Sequence, residues 1–358
     1  MTFNDRARQV RTISMLQLRR VFFSRRSAWV YVLALFPAFA FLVHGIEVTF
    51  TRSDRADSIT PAAALSRIED GATIDFVLES AGEPMNATRL EERTRRDGER
   101  VPERRWLSYW DGRSEHSMYF EDGILKRHSQ RHIVDFADDR MVYAGVFQYF
   151  YLRLAIFFGC LGIFMNLFRG EMLDETLHFW FLVPARREVL LAGKYIAGLV
   201  AALVIFTTGA AVSYLLMLWP QESAQLANFW PDPGLSHLLW YCAAAALACV
   251  GYGSVFLAAG LLLRNPIVPA VALLFWEGIN GFLPGVLQKL SVLHYVQALM
   301  PVPAPMDNGA PLFIQLLMTP PAPPSALRAV LGLLVLTAVV LWAAAHAVRR
   351  LEINYSTD

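Results

Sequence analysis

Apolar residues gather along this chain in long runs separated by polar stretches, and the run lengths carry the first structural message. Ala28 to Ile46 contains no Asp, Glu, Lys or Arg. At ~1.5 Å rise per residue a helix of that length covers about 28 Å, close to the ~30 Å of bilayer hydrocarbon. Comparable runs occupy Tyr143 to Phe168, Val189 to Trp219, Ser236 to Leu263, Pro266 to Pro284 and Leu327 to Val348. Within lipid only helices and closed barrels satisfy their own backbone, and the chain lacks the alternating ten-residue segments of a barrel. The pattern predicts six membrane-spanning helices.

Between these runs the character changes. Residues 1–27 are basic, with Arg6, Arg8, Arg11, Arg19, Arg20, Arg25 and Arg26 interleaved with Val10, Ile13, Leu18, Val21 and Phe22. Such a stretch either lies as an amphipathic helix on an anionic membrane surface or simply flanks the first anchor. Residues 47–142 hold 15 Lys or Arg and 20 Asp or Glu, with no long apolar run. Turn signals at Asp111-Gly112 and Glu121-Asp122-Gly123 separate short β-prone pieces, which predicts a small α+β soluble insert between spans one and two. His128 and His132 are spaced to share a helix face and are weak metal candidates, with no cysteine nearby. The Asn86-Ala87-Thr88 sequon matters only in a host that glycosylates.

Composition supports this division. Hydrophobic residues make up 55%, charged residues 18%, and mean hydropathy is +0.37, values of an integral membrane protein rather than a soluble enzyme. No nucleic-acid partner is expected. Cys160, Cys242 and Cys249 all fall inside apolar runs, which offers no disulfide framework. The first run has no small-residue cleavage site and reads as a retained anchor. Net charge of +1 says little, but the placement of Lys and Arg is informative. They collect in the N-terminal flank, at Arg169, Arg186, Arg187 and Lys194, at Arg264, and at Arg349 and Arg350; residues 220–235 have none, and residues 285–326 have only Lys289. The positive-inside rule then puts both termini in the cytoplasm and the insert outside, in a plasma-membrane protein. Tyr143, Phe147, Tyr149, Trp219, Trp230 and Trp240 fall near the deduced outer interface.

Two regions carry further chemistry. Arg153 and Glu277 are the ionisable residues deepest in the spans, where a charge costs roughly 2.5 to 3.5 kcal/mol on insertion scales. They pair with each other, or one of them faces headgroups. Residues 285–326 hold short apolar pieces, Leu290 to Met300 and Leu312 to Met318, between proline-rich links. These read as re-entrant or interfacial helices, or as a loop lying on the insert. Arg169 to Lys194 is a charged interruption between spans two and three. Gly170 to Leu182 predicts a short surface helix that Pro184 ends. Residues 169–188 thus form a cytoplasmic helix and loop, and residues 349–358 a cytoplasmic tail.

The basic lead-in, six spans, the Glu175-Thr176-Leu177 helix followed by Pro184-Ala185-Arg186-Arg187 and Gly193-Lys194, and the short outer helices together resemble the permease subunit of type 2 ABC exporters. Asp174-Glu175 stand where a glycine is usual in that family. The resemblance implies an ATP-driven exporter permease forming a translocation pathway. Its coupling residues would be Glu171, Asp174, Glu175, Thr176, Leu177, Phe181, Arg186 and Arg187, docking on a separate cytoplasmic ATPase. ATP and Mg would sit on that partner, with no cofactor on this chain, and a second permease chain would complete the pathway. The sequence itself has no Walker A pattern, since position 188 is Glu and Tyr195 follows Gly193-Lys194. The other reading is a membrane-anchored sensor or assembly factor whose insert binds a ligand or protein.

Overall fold

The computed structural model describes residues 3–23, 28–90, 93–94, 100–132, 135–173, 186–263, 267–280, 283–303 and 324–349. The chain is mostly helical and divides into two compact units. One comprises Met1–Phe41, Met141–Leu216 and Ser223–Asp358; the other comprises Leu42–Arg140 with Met217–Glu222.

The first unit contains α1 (Phe3–Phe23) and the start of α2 (Ala28–Asp54). A long rod follows, built from α5 (Phe136–Gly145), a π-helical stretch (Val146–Ile156) and α6 (Phe157–Leu173). Next come α7 (Arg187–Leu218), α8 (Ser223–Phe229), a second π-helical stretch (Trp230–Gly234) and α9 (Leu235–Leu262). It ends with α10 (Ile267–Ile279), the short α11 (Gly285–Gln288) and α12 (Val292–Gln297), and α13 (Ala326–Arg349). Among the described residues five helices are long and apolar enough to cross a membrane: Ala28–Asp54, Phe136–Phe168, Arg187–Leu218, Ser223–Leu262 and Ala326–Arg349.

The fifth expected span, Pro266 to Pro284, is described over a helix shorter than its apolar run. Its described part, α10, has 13 residues, about 20 Å, against the ~30 Å that a crossing needs. The structure therefore supports a helical membrane protein with five candidate spans. The first span is longer than expected: α2 continues through Pro37 and past Ile46 to Asp54, and α5 already begins at Phe136, so both flanks of the insert are helical.

Helix α9 is the hub of this unit, packing against α6, α12 and α13. In its span 72% of the most apolar window is buried, against 17% for α13, which marks α9 as interior and α13 as peripheral. Small residues permit this. A Cβ on Gly253 would lie 2.5 Å from the Phe164 ring of α6, so only glycine lets these two helices meet as they do.

Buried tyrosines knit the same core. Tyr143 donates to the Ala210 carbonyl at 3.1 Å, Tyr151 to Phe206 at 2.7 Å, Tyr195 to Val250 at 3.0 Å and Tyr214 to Gly234 at 3.0 Å. Each hydroxyl reaches a helix carbonyl, as a polar tip must inside an apolar core. Tyr143 and Phe147 are thus interior packing residues rather than the interfacial aromatics their position suggested, whereas Tyr149, Trp219, Trp230 and Trp240 are exposed.

The second unit is the insert, and it has its own core. Helices α3 (Ala62–Leu65) and α4 (Ile74–Ala81) accompany a four-stranded antiparallel sheet of order β1-β4-β5-β6, with β1 Asn86–Leu90, β4 Arg104–Trp110, β5 Ser114–Glu121 and β6 Ile124–His132. Two short strands, β2 (Arg93–Thr94) and β3 (Arg100–Val101), pair separately. Both predicted turns form. Asp122 and Gly123 take positive φ in the tight β5–β6 connection, the conformation that a two-residue hairpin of this hand requires. Leu107, Tyr109, Met118, Phe120 and Leu125 pack from the sheet against Leu65, Ile68 and Val77. His128 and His132 lie on strand β6, not on a helix, because alternation along 124–132 extends the hairpin.

Within this unit the distal end of α2 is tied to the 217–222 segment. Arg52 donates to the Pro220 carbonyl at 2.6 Å, and Gln221 donates to Asp139 at 2.6 Å beside His44.

Candidate functional site

The helix preceding Pro184 was expected to couple the protein to a partner. Asp174, Glu175, Thr176, Leu177 and Phe181 lie outside the described residues, and Glu171 is described only as part of the α6 backbone. What the structure does describe is the junction on which that stretch is mounted.

Arg186 is exposed, and its carbonyl accepts from Val189 N at 2.9 Å, starting α7. Arg187 reaches across to α13, donating to the carbonyls of Val348 at 3.4 Å and Arg349 at 3.2 Å. A cation at the carbonyl end of a helix is favoured by the helix dipole and satisfies acceptors left open there. Arg349 returns the contact by pairing with Glu188. Arg187 is therefore engaged within the chain, by contacts that its place in a basic loop did not indicate.

Gly193 and Lys194 have separate tasks. Gly193 lies under α1: the Ser14 hydroxyl donates to the Gly193 carbonyl at 2.9 Å, while Ile13 packs with Val189, Leu190 and Val10. Lys194 is fully buried, its ammonium donating to the Leu167 carbonyl of α6 and lying 4.7 Å from the centre of the Phe168 ring. A buried lysine is costly unless its donors are taken up, and here a carbonyl and an aromatic face receive it. The first turns of α7 consequently hold α1, α6 and α13 together.

Among the two ionisable residues deepest in the apolar runs, Glu277 finds its partners in a neighbouring short helix. Glu277 is buried, and its two carboxylate oxygens accept from the Ser291 hydroxyl and from Val292 N, the latter at 3.0 Å. Ser291 is the N-cap of α12, its oxygen accepting from His294 N at 3.1 Å. Glu277 thus fastens α10 to the start of α12. Arg153 lies on the π-helical stretch, its guanidinium 5.3 Å from the Tyr149 ring centre and its buried Nε without a hydrogen-bond partner. Among the described residues no ion pair joins Arg153 to Glu277.

Sequence reasoning missed the clamp because it joins an apolar helix to a loop serine, a partnership with no spacing signature. The Ser291 N-cap before Val292 was the one readable signal. Of the outer segments, Leu290 to Met300 contains α12, while Leu312 to Met318 lies outside the described residues.

The chain matches no protein-family model, no curated protein and no solved structure.

Proposed function

We propose that this chain is the permease subunit of an ATP-driven exporter of the ABC type, in the plasma membrane with both termini cytoplasmic. A separate ATPase would dock on residues 169–187, and a second permease chain would complete the pathway. The observation that carries the reading is the junction at the start of α7. The segment to which the resemblance assigns coupling precedes, in the chain, a helix whose first turns grip α1 through Gly193, α6 through Lys194 and α13 through Arg187 and Glu188. Force on the preceding loop would reach three further helices at once, the kind of rigid linkage that a nucleotide-driven rocking motion needs. The clamp between α10 and α12 would stiffen the opposite end of the pathway.

The separate core of the insert favours the second reading, a membrane-anchored sensor or assembly factor, since a self-supporting unit can bind a ligand by itself. Affinity purification from native membranes distinguishes the two. Recovery of an ATP-binding subunit, with ATPase activity of the reconstituted pair lowered by Glu175→Ala, supports the exporter. Purification without any such subunit, under conditions that keep the insert folded, rejects it.

A further inference from the structure

The insert sheet has two faces, and only one of them carries the core. Leu107, Tyr109, Met118, Phe120 and Leu125 belong to that face, so alternation sends the residues between them to the other. Strand register sorts those residues into rows. Asn86, Ser108, Ser117 and Ser129 stand side by side across β1, β4, β5 and β6, and two residues along the strands Thr88, Trp106, Tyr119 and Arg127 form the next row. None of them is buried. Beyond the serine row the same face is covered: Trp110 is buried, bridged to Ile59, with the Arg55 guanidinium 5.5 Å from its ring centre. The serines are thus the floor of a shallow groove between an aromatic row and the ridge at Trp110. At ~4.8 Å per strand and ~3.4 Å per residue, the groove runs about 14 Å across the sheet and is about as wide between its flanking rows.

The lining of the groove selects among ligands. Trp106 and Tyr119 lie with ring centres 5.1 Å apart and planes tilted by 42°, an aromatic surface left half-exposed. Such ring faces call for an apolar surface against them. The floor calls for hydrogen bonds: among the described residues the side chains of Asn86, Ser108, Ser117 and Ser129 have no hydrogen-bond partner, although each can both donate and accept. A pyranose ring meets both demands at once, with C–H faces to lie on the aromatics and a rim of hydroxyls to reach the floor. A protein partner fits less well, because serine is depleted at the centres of protein interfaces. Charge narrows the class further. Glu115 is held by Arg55 at 3.1 Å and Glu121 lies 3.9 Å from Arg104, whereas Arg127 and Arg131 of β6 have no ion pair among the described residues. That end of the groove favours an anion.

We propose that this face of the insert binds an acidic oligosaccharide of the uronate class, its sugar rings stacked on Trp106 and Tyr119, its hydroxyls on the serine row and its carboxylates toward Arg127 and Arg131. The site lies wholly within the insert, so it stands apart from the exporter reading.

The test is calorimetric titration of the full-length protein in a detergent that has no sugar headgroup. The probes are short oligomers of galacturonate, of mannuronate and of hyaluronan, with cellohexaose as the uncharged control. At least one uronate oligomer should bind saturably and more tightly than cellohexaose. Trp106→Ala, which removes half of the aromatic surface, and Ser117→Leu, which fills the floor, should each weaken that binding about tenfold or more. Arg127→Gln should weaken it about two- to tenfold and reduce its salt dependence, since it removes one exposed charge. Ser117 and Arg127 lie off the core, and unchanged melting temperatures in their variants show that the fold is kept. No saturable binding of any of the uronate oligomers overturns the proposal, as does binding that both Trp106→Ala and Ser117→Leu leave intact. Capture of a partner protein that Trp106→Ala abolishes, with no sugar bound, also overturns it and makes the face a protein interface.

Discussion

Ile13 of α1 sits directly over Gly193 of α7: a Cβ on residue 193 would stand 2.7 Å from Ile13 Cγ2 and 2.9 Å from Ile13 Cβ. Neither atom is the far end of a flexible side chain, so α1 itself would have to move. Gly193→Ala should destabilise the protein by about 1–3 kcal/mol, the usual range for overpacking. Thermal unfolding in detergent checks the loss, and Ile13→Ala in the same chain should recover part of it.

Glu277 holds the Ser291 hydroxyl and the Val292 N–H in a buried setting. Glu277→Ala leaves both donors without their acceptor, at about 1–3 kcal/mol for each unsatisfied group. Glu277→Gln retains one accepting oxygen and should lose less. Hydrogen exchange over residues 285–300 should quicken strongly in the alanine variant and mildly in the glutamine one. Equal exchange in all three proteins would show that the clamp does not hold α12.

Phe120 is fully buried among Leu65, Val77, Leu107 and Met118 in the insert core. Phe120→Ala removes most of its side chain from a packed interior and should cost about 3–5 kcal/mol. Limited proteolysis should then cut within residues 55–135 at protease levels that leave the wild-type insert intact.

Arg113 forms two hydrogen bonds to Glu222, at 2.9 Å and 2.5 Å, and holds the Glu222 carboxyl below its ordinary value of 4.5. A carboxylate whose folded pKa is lowered stabilises the fold above its unfolded pKa, and that contribution disappears as pH falls through the folded value. The loss therefore belongs to the window below about pH 4.5. Both partners are substantially exposed, so the effect is under about 1 kcal/mol and shrinks in salt. Glu222→Gln should flatten the acid side of the insert's stability profile at low ionic strength and have little effect in molar salt.

The long spans were readable because periodicity hardly matters to them: apolar length alone sets a crossing, and the helices Arg187–Leu218 and Ala326–Arg349 fall within two residues of their apolar runs. The insert hairpin was readable from its Asp-Gly turns, since positive φ is a local demand. The fifth run is supported only as a 13-residue helix among the described residues, because hydropathy counts residues and not helix. Tyr143 and Phe147 misled because an aromatic near a span end is interfacial or interior according to its neighbours, and the neighbours come from α7 and α9.

The order of apolar and polar stretches by itself determined that this chain forms long apolar helices of the kind that cross a membrane, and that strands and tight turns follow the first of them, because transfer of side chains to lipid and local turn geometry are properties of short segments. Only the tertiary structure decided that Glu277 is bound by Ser291 instead of Arg153, that Lys194 is buried against α6, and that His116 faces His128. Those pairings join residues whose meeting depends on helix packing and strand register. Packing and register are settled by the whole core at once.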